Sequence, residues 1–414
     1  TKILNHKDVR EALQQTIGRD GIQQFSDWFS DSVVGDQSDP RTADEIFRVL
    51  RGRISVATMG WKVSTALVQP LGYFSTVSRL VQDYGALGGF YAMKGIKDFY
   101  GNPAKIAEKV KFVHEKSAFM RQRSRTFDRD IYDNLKRLRK GHYGQVEASF
   151  FWMVSKLQLS VDLPTWFAVY EAVQAQDPSM TEEQAVNEAD SVVRMTQSSG
   201  AAKDLTNFQR GGEGKKLFSF YMTFFSAMTN MMEDQFIMAR ENKKYIPRAI
   251  ASLLILTFMP VVAEEAVRAA LGVGGPDEED EEGWFEFLMK KWAGFSVGGI
   301  PIVRDVVNTV VTDFDYSISP VAKLPEQMIR AGTQIKEVFW NEDDGLTFDT
   351  NELDKKLAKS LVDAVAIAVP LPASQIKLTG EYFYDYFDGE KEPDSWVNFL
   401  AEAFYRKDPK DYRR

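Results

Sequence analysis

The sequence predicts an all-α fold that is mostly helical, multi-unit, elongated or oligomer-forming, and that contains several short apolar helices. Apolar residues recur with helical spacing, since Ile106, Val110 and Val113 stand at i, i+4 and i+7. Thr181 and Gln184 have the spacing of a capping box and therefore predict the start of a helix. Alternation of apolar and polar residues, the pattern of half-buried strands, is scarce in the sequence.

The short apolar helices are predicted from five uncharged, mainly apolar runs. The most distinct run is 217–232, LFSFYMTFFSAMTNMM, and similar runs occupy 63–78, 249–263, 292–303 and 364–375. A helix that is apolar on all sides must be enclosed by protein or by lipid. Run 217–232 has 16 residues, whereas crossing the hydrocarbon core of a bilayer takes about 20. We expect such helices to be buried in a membrane or against a partner; a large core of the chain itself is the alternative.

Two of the runs supply the residues that we expect to be buried against a membrane or a partner. In run 217–232 these residues are Phe218, Tyr221, Phe225 and Met228. In run 249–263 they are Leu253, Leu254 and Phe258. Pro70 and Pro260 lie inside apolar runs and predict interrupted helices, which are tolerated where neighbouring helices or a water-filled lumen satisfy the freed carbonyl groups.

The composition limits the class of protein. Charged residues make up 27% of the 414 residues and hydrophobic residues 44%, which excludes a polytopic membrane protein and a disordered chain. The absence of cysteine excludes disulfides, thiol nucleophiles and sulfur-based zinc sites. The length predicts two or three packed units. Breaks in composition divide the chain into an N-terminal helical region with a basic helix (1–144), a central region with apolar helices (145–275) and a C-terminal helical region after an acidic linker (276–414).

Residues 105–140 are rich in lysine and arginine, although the whole chain has a net charge of −8. Such a segment can follow the phosphates of a nucleic acid, because lysine and arginine displace condensed counterions whatever the base sequence. A solvated helix face with salt bridges, or contact with anionic lipid headgroups, are the alternatives. The arginines that we expect to face DNA are Arg121, Arg123, Arg125, Arg137 and Arg139.

Segments that resemble catalytic motifs lack residues that the chemistry needs. His114 begins a run like a zinc-protease helix, but Ala118 occupies the position of the second histidine ligand. Residues 211–216, GGEGKK, resemble a phosphate-binding loop, but Lys216 replaces the magnesium-binding hydroxyl, which favours a flexible turn. We predict that the chain is no enzyme and holds no catalytic residue, metal or cofactor. A hydrolase or nuclease that assembles its site from distant residues is the weaker alternative.

Three stretches resemble a known kind of protein. Residues 63–72 (VSTALVQPLG), 162–170 (DLPTWFAVY) and 203–225 (KDLTNFQRGGEGKKLFSFYMTFF) are similar to the C-terminal regions of very large phage polyvalent proteins and to internal virion proteins of short-tailed phages. The resemblance implies a protein that is packaged in the virion interior, is ejected into the host with or before the genome, and forms part of a DNA-translocating conduit across the cell envelope. Any catalytic part of a longer polypeptide would lie outside this chain.

The same resemblance implies the partners and the location. The partners are further copies of the chain in a homo-oligomer, other ejected virion proteins, the genomic DNA that passes through, and the host inner membrane. The location is the virion interior and then the host envelope, at the periplasm or the inner membrane. An interior capsid component that binds the portal through its apolar faces and never meets lipid is the alternative, because exposed apolar patches mark protein interfaces equally well.

Overall fold

In the computed structural model, the described residues form α-helices joined by turns and short 3-10 helices. Among the residues that the structure describes, 86% are helical and none lies in a strand, which confirms the predicted all-α class. The described residues are 51–53, 55–56, 60–126, 149–200, 204–219, 222–270, 283–296, 372–387 and 395–405, with a few isolated positions elsewhere.

The described α-helices are numbered here in chain order. The first seven are α1 Val63–Val68, α2 Tyr73–Tyr84, α3 Ala86–Tyr100, α4 Ile106–Lys116, α5 Ala118–Thr126, α6 Trp152–Gln176 and α7 Glu182–Thr196. The others are α8 Asn207–Arg210, α9 Glu213–Phe218, α10 Met222–Glu241, α11 Ile246–Ala270, α12 Trp284–Ser296, α13 Ala373–Phe387 and α14 Trp396–Tyr405. Short 3-10 helices occupy Gln69–Gly72, Pro103–Lys105 and Lys243–Tyr245.

The main hydrophobic core is shared by α2 to α7. Helix α6 lies at its centre, where it packs against α3 and α7 and buries Trp166 completely. Leu80 of α2, Phe99 of α3 and Val193 of α7 belong to the same cluster of buried side chains. The predicted division near residue 144 therefore does not separate two cores, because helices on both sides of it bury their apolar faces against one another.

Helix α6 continues through Pro164, and α3 compensates for the missing hydrogen bond. Proline has no N–H, so the carbonyl of Ser160, one turn earlier, loses its usual helical partner. The hydroxyl of Tyr100 donates to that carbonyl at 2.5 Å. Close packing is possible because α3 presents Gly95 here, where a Cβ atom would stand 2.5 Å from the Cβ of Ala168.

Two helix starts are fixed by side-chain caps. The hydroxyl of Thr181 accepts from the backbone N–H of Gln184 at 3.3 Å, and the side chain of Gln184 accepts from the backbone N–H of Thr181 at 2.8 Å. This reciprocal pair confirms the predicted capping box at the start of α7. Ser117 caps α5 in a similar way, since its hydroxyl accepts from the backbone N–H of Met120 at 2.9 Å.

The apolar runs differ from their predicted form in two places. Run 217–232 is not one helix, because α9 ends at Phe218 and α10 begins at Met222. Run 249–263 is not a short helix, because the 25 residues of α11 extend through the charged residues on both sides, which are good helix formers. The predicted interruption at Pro70 is confirmed by the 3-10 helix there, whereas α11 passes through Pro260 without a break. Of the two remaining runs, the structure describes only 292–296 and 372–375.

The C-terminal helices α13 and α14 pack against each other through aromatic rings. The ring of Phe399 lies 5.5 Å from that of Tyr382 and 5.2 Å from that of Tyr386, both in edge-on orientation. The backbone N–H of Val63 donates to the side chain of Gln375 at 3.2 Å, which joins α13 to the start of α1. The predicted division near residue 276 is thus crossed by contacts between the C-terminal and N-terminal helices.

Candidate interaction surface and buried polar network

The arginines predicted to face DNA do not share one surface. Arg121 is exposed on α5, but Arg123 is completely buried, so the prediction that Arg123 faces phosphate is wrong. The physical reason is a carboxylate on α6, Asp162, that lies within reach inside the core. Arg137, Arg139 and the side chain of Arg125 lie outside the described residues.

Arg123 and Asp162 form an ion pair that is sealed from solvent. The guanidinium Nε donates to Asp162 Oδ2 at 2.8 Å, and Nη2 donates to the backbone carbonyl of Gln197 at 2.6 Å. The side-chain amide of Gln158 donates to Asp162 Oδ1 at 2.8 Å. Burial raises the pKa of the Asp162 carboxyl, and the charge of Arg123 offsets part of that rise. The pair holds α5 against α6 and against Gln197, the residue that follows α7.

Gln197 extends this network to the start of α2. Its side-chain amide donates to the carbonyl of Gly72 at 2.8 Å and to the hydroxyl of Thr76 at 3.1 Å. The hydroxyls of Thr76 and Thr165 are 2.6 Å apart and share a hydrogen bond. Gly72 belongs to stretch 63–72 and Thr165 to stretch 162–170. Those stretches therefore supply buried polar contacts that fix the positions of four neighbouring helices.

A second carboxylate, Asp190, joins three helices in the same core. Its Oδ1 accepts from the indole N–H of Trp166 at 2.9 Å and from the hydroxyl of Ser117 at 2.7 Å. Ser117 is also the cap of α5, so one side chain both starts a helix and binds it to α7. The buried carboxylates of α6 and α7 thus both take part in fixing α5.

A third buried charge cluster lies at the start of α9. Glu213 accepts from Arg51 Nε at 3.1 Å and from Lys216 Nζ at 3.2 Å, and all three side chains are almost completely buried. The interpretation of GGEGKK as a flexible turn is therefore wrong, because Glu213 opens a helix in which the charges of Glu213 and Lys216 are enclosed. Arg51 lies far from Glu213 in the sequence, so a local motif does not predict this ion pair.

Two open clefts lie on the surface of the described helices. One, of about 400 Å³, includes Arg79, which pairs with Asp83 at 3.0 Å and with Asp234 at 3.5 Å. The other, of about 480 Å³, lies between α4 and α7 and includes Lys116 and Glu182, which pair at 2.6 Å. Within the described part of the chain, no group of three or more histidine, aspartate and glutamate side chains is arranged to hold a metal ion.

Helix α11 has an exposed apolar face. We define the outer face of α11 as Ile246, Ile250, Leu254 and Met259, whose side chains are 38% to 53% exposed. The first three stand at i, i+4 and i+8 and so follow one ridge of the helix. The opposite side of α11 packs against α2, and α10 and α12 flank it. Exposed apolar residues in such a row mark a contact with lipid or with another protein.

Helix α11, together with the 3-10 turn before it, is long and apolar enough to cross a membrane, and no other helix in the described ranges meets this test. Within its most apolar window, 33% of the residues are buried inside the chain. The uncharged part is shorter than the helix, because residues 249–263 number 15 and span about 22 Å. A bilayer core is about 30 Å thick, so the uncharged part is about 8 Å shorter than an upright crossing requires.

The residues predicted to be buried in a membrane or against a partner have different environments. Met228 packs against Met231 and Leu256 inside the chain, so its predicted burial by lipid or a partner is wrong. Leu254 is exposed, as contact with lipid or a partner requires, whereas Leu253 is half-buried. Phe258 is half-buried too, with its ring 5.6 Å from that of Trp292. The side chains of Phe218, Tyr221 and Phe225 lie outside the described residues.

Comparisons with known proteins give no relative from which a function could be transferred. No protein-family model matches the chain. No curated protein and no solved structure matches it either.

Proposed function

We propose that this chain is an internal virion protein of a tailed phage, which is ejected into the host and serves as a structural component of a DNA-translocating conduit. In this proposal several copies assemble at the host envelope, together with other ejected proteins, and reach the inner membrane through α11. The chain acts by binding and packing rather than by catalysis. The observation that supports membrane contact most directly is the exposed apolar outer face of α11.

The energetics favour a partner for this face. Ile250 and Leu254 leave about half of their side-chain surface in water, and complete burial of such a side chain contributes about 1.5 to 3 kcal/mol. Both residues lie on one ridge, so a flat apolar environment can cover them together. The reciprocal hydrogen bonds of Ser78 and Ser252 hold α11 against α2, which keeps the outer face directed away from the core.

Contact with DNA has narrower support. Of the five arginines predicted to face DNA, Arg121 and Arg123 have described side chains. Arg121 is exposed, whereas Arg123 cannot contact DNA because Asp162 holds it in the core. Near Arg121 in sequence along the basic segment, Lys105 and Lys111 are also exposed. We propose these exposed cations, rather than Arg123, as the residues that face the phosphates of passing DNA.

Flotation with lipid vesicles tests membrane contact. The wild-type chain is expected to float with vesicles, and the double variant Ile250→Asn/Leu254→Asn is expected to bind roughly tenfold to a hundredfold more weakly, because two apolar side chains are lost from the contact. The matched control is Phe90→Asn/Met93→Asn, which changes two apolar residues on α3 that are even more exposed than Ile250 and Leu254. Failure of the wild-type chain to float, alone and as an oligomer, would contradict the membrane role.

The virion role is tested separately in the phage that encodes the chain. Purified particles are expected to contain the chain in several copies, and particles that have ejected their genome are expected to lack it. Mass spectrometry before and after ejection measures both quantities. A chain that is absent from full particles, or that remains in emptied ones, contradicts the proposal.

A portal-associated scaffold is the second candidate, and a specific observation favours it. Leu87, Phe90 and Met93 are 54% to 66% exposed and lie along one side of α3, on a helix different from α11. A second apolar surface suits a protein with several protein partners. Particles that retain the chain on the portal, together with no binding to vesicles, would support this candidate.

A further inference from the structure

We infer that the turn between α10 and α11 selects membranes of anionic lipid, with α11 lying along the surface of one leaflet. This inference rests on the proposed membrane role and specifies the lipid that the role requires. The outer face of α11 supplies the apolar contact, and the basic residues of the turn contact the lipid phosphates. The two features meet at one end of the same helix.

Four basic residues are concentrated at this end. Arg240 lies in the last turn of α10, Lys243 and Lys244 lie in the 3-10 turn, and Arg248 lies in the first turn of α11. Arg240 and both lysines are exposed, and no salt bridge joins the two lysines to a described carboxylate. Asn242 holds the turn in place, because its side chain accepts from the backbone N–H of Lys244 at 3.0 Å. The lysine ammonium groups are therefore available to an anionic partner.

Acidic residues at this end reduce the positive charge without cancelling it in the turn. Glu241 is the single acidic residue among positions 240–248, so that segment has a net charge of +3. Glu233 is exposed on α10, two turns before the basic segment. Asp83 and Asp234 lie in the neighbouring cleft, where both pair with Arg79. The excess of cations is greatest next to Ile246, where the exposed apolar ridge of α11 begins.

The arrangement fits a helix that lies in the plane of the interface. Such helices combine one apolar face with basic residues that contact headgroups. Arg248 lies over the ring of Tyr245 at 5.2 Å, and tyrosine favours the headgroup level of a bilayer. An upright crossing is disfavoured, because the uncharged stretch spans about 22 Å against a core of about 30 Å. Glu264 and Glu265 would then lie within the hydrocarbon, where charges are costly.

The test compares two vesicle compositions and two matched pairs of lysines. Wild-type chain is floated with vesicles of phosphatidylcholine alone and with vesicles that also contain phosphatidylglycerol. Lys243→Gln/Lys244→Gln is expected to bind the anionic vesicles roughly 25-fold more weakly, about fivefold for each lysine. The control Lys97→Gln/Lys156→Gln makes the same charge change at exposed positions on α3 and α6, and is expected to bind as the wild type does.

Each outcome decides between the membrane role and its lipid selectivity. Binding that needs phosphatidylglycerol, weakens in high salt and is lost only in the turn variant supports the inference. Equal binding to both vesicle types overturns the inference but leaves the membrane role intact, whereas binding to neither overturns both. An equal loss of affinity in the control variant shows a general effect of net charge and overturns the assignment to the turn. If the turn variant loses affinity for a DNA duplex but not for vesicles, the lysines bind nucleic acid instead.

Discussion

Ser78 and Ser252 bind each other across the contact between α2 and α11. The hydroxyl of Ser78 donates to the backbone carbonyl of Ser252 at 2.9 Å, and the hydroxyl of Ser252 donates to the carbonyl of Ser78 at 2.7 Å. The two hydroxyl oxygens are 2.8 Å apart, but each carries one proton, so only two of the three contacts form at once. This pair fixes the rotation of α11 and therefore decides which of its residues remain outside.

Replacing either serine tests the reciprocal arrangement. Ser78→Ala and Ser252→Ala are each expected to lower the free energy of unfolding by about 1 kcal/mol, because each removes one donor. In the reciprocal pattern the two losses add, so the double variant loses about 2 kcal/mol. Urea denaturation measures all three, with Ser226→Ala on α10 as a control. A double variant no less stable than the single ones would show that the hydroxyls bond to each other instead.

The buried ion pair predicts a pH-dependent loss of stability. Arg123→Met leaves Asp162 enclosed without its cation, which is expected to cost about 3 kcal/mol near neutral pH. Burial already raises the pKa of Asp162 above its ordinary value of 3.8, and loss of the guanidinium raises it further. The folded variant therefore still binds a proton at pH values at which the folded wild type has already lost it. As pH rises through that range the buried carboxyl must ionise without a cation beside it, so the loss of stability caused by Arg123→Met grows.

The measurement is denaturation of both proteins at about pH 4 and at about pH 7. The stability difference is expected to be smaller at the lower pH, where the carboxyl is protonated in the variant. Arg121→Met, an exposed arginine on the same helix, is the control and is expected to change stability by less than about 0.5 kcal/mol. A difference that is the same at both pH values contradicts the buried pair.

Replacement of Gln235 on α10 by an apolar residue is predicted to stabilise the fold. Its side chain is completely buried, and among the residues that the structure describes neither its amide nitrogen nor its carbonyl oxygen has a hydrogen-bond partner. Gln235→Leu is therefore expected to raise the free energy of unfolding by about 1 to 2 kcal/mol, because it removes an unsatisfied buried group. Gln158→Leu is the matched control with the opposite expected sign, since that buried amide binds Asp162. Destabilisation by Gln235→Leu would show that the amide is bonded in solution.

Substitution by alanine is predicted to have opposite effects on stability at two glycines. Gly95→Ala is expected to destabilise the fold by about 1 to 3 kcal/mol, because the new methyl group would overlap Ala168 on α6. Gly380→Ala is expected to stabilise it by about 0.5 to 1 kcal/mol, because α13 has open space there and alanine favours helix. Thermal denaturation of both variants measures the difference. Similar effects of the two substitutions would contradict the close contact of α3 with α6.

The sequence predicts the local features well because they depend on neighbouring residues. Helical periodicity gives the all-α class, and the spacing of Thr181 and Gln184 gives the start of α7. The burial of Arg123 is not predictable in this way, since its partner is 39 positions away. A signal does exist, because Asp162 stands alone in an apolar part of α6 and a buried carboxylate requires a cation. That signal shows the need for a partner but not which arginine supplies it.

The surface of α11 is predicted only in part for a related reason. Run 249–263 is apolar on all sides, so the sequence shows that the helix needs cover but not which side the chain covers. The fold settles this through contacts with distant residues such as Ser78 and Trp292. Met228 and Leu254 are indistinguishable as apolar residues of such runs, yet one lies in the core and the other at the surface.

Entry of the outer face of α11 into an anionic membrane surface can be measured directly, because the chain contains no cysteine and a single one can be introduced for labelling. Leu254→Cys and Met93→Cys are each labelled with a polarity-sensitive fluorophore and mixed with vesicles that contain phosphatidylglycerol. If the outer face of α11 enters the membrane, the emission of the label at position 254 shifts to the blue, and the emission of the label at position 93 on α3 is unchanged. Unchanged emission from position 254 while the protein is bound to the vesicles would contradict this entry.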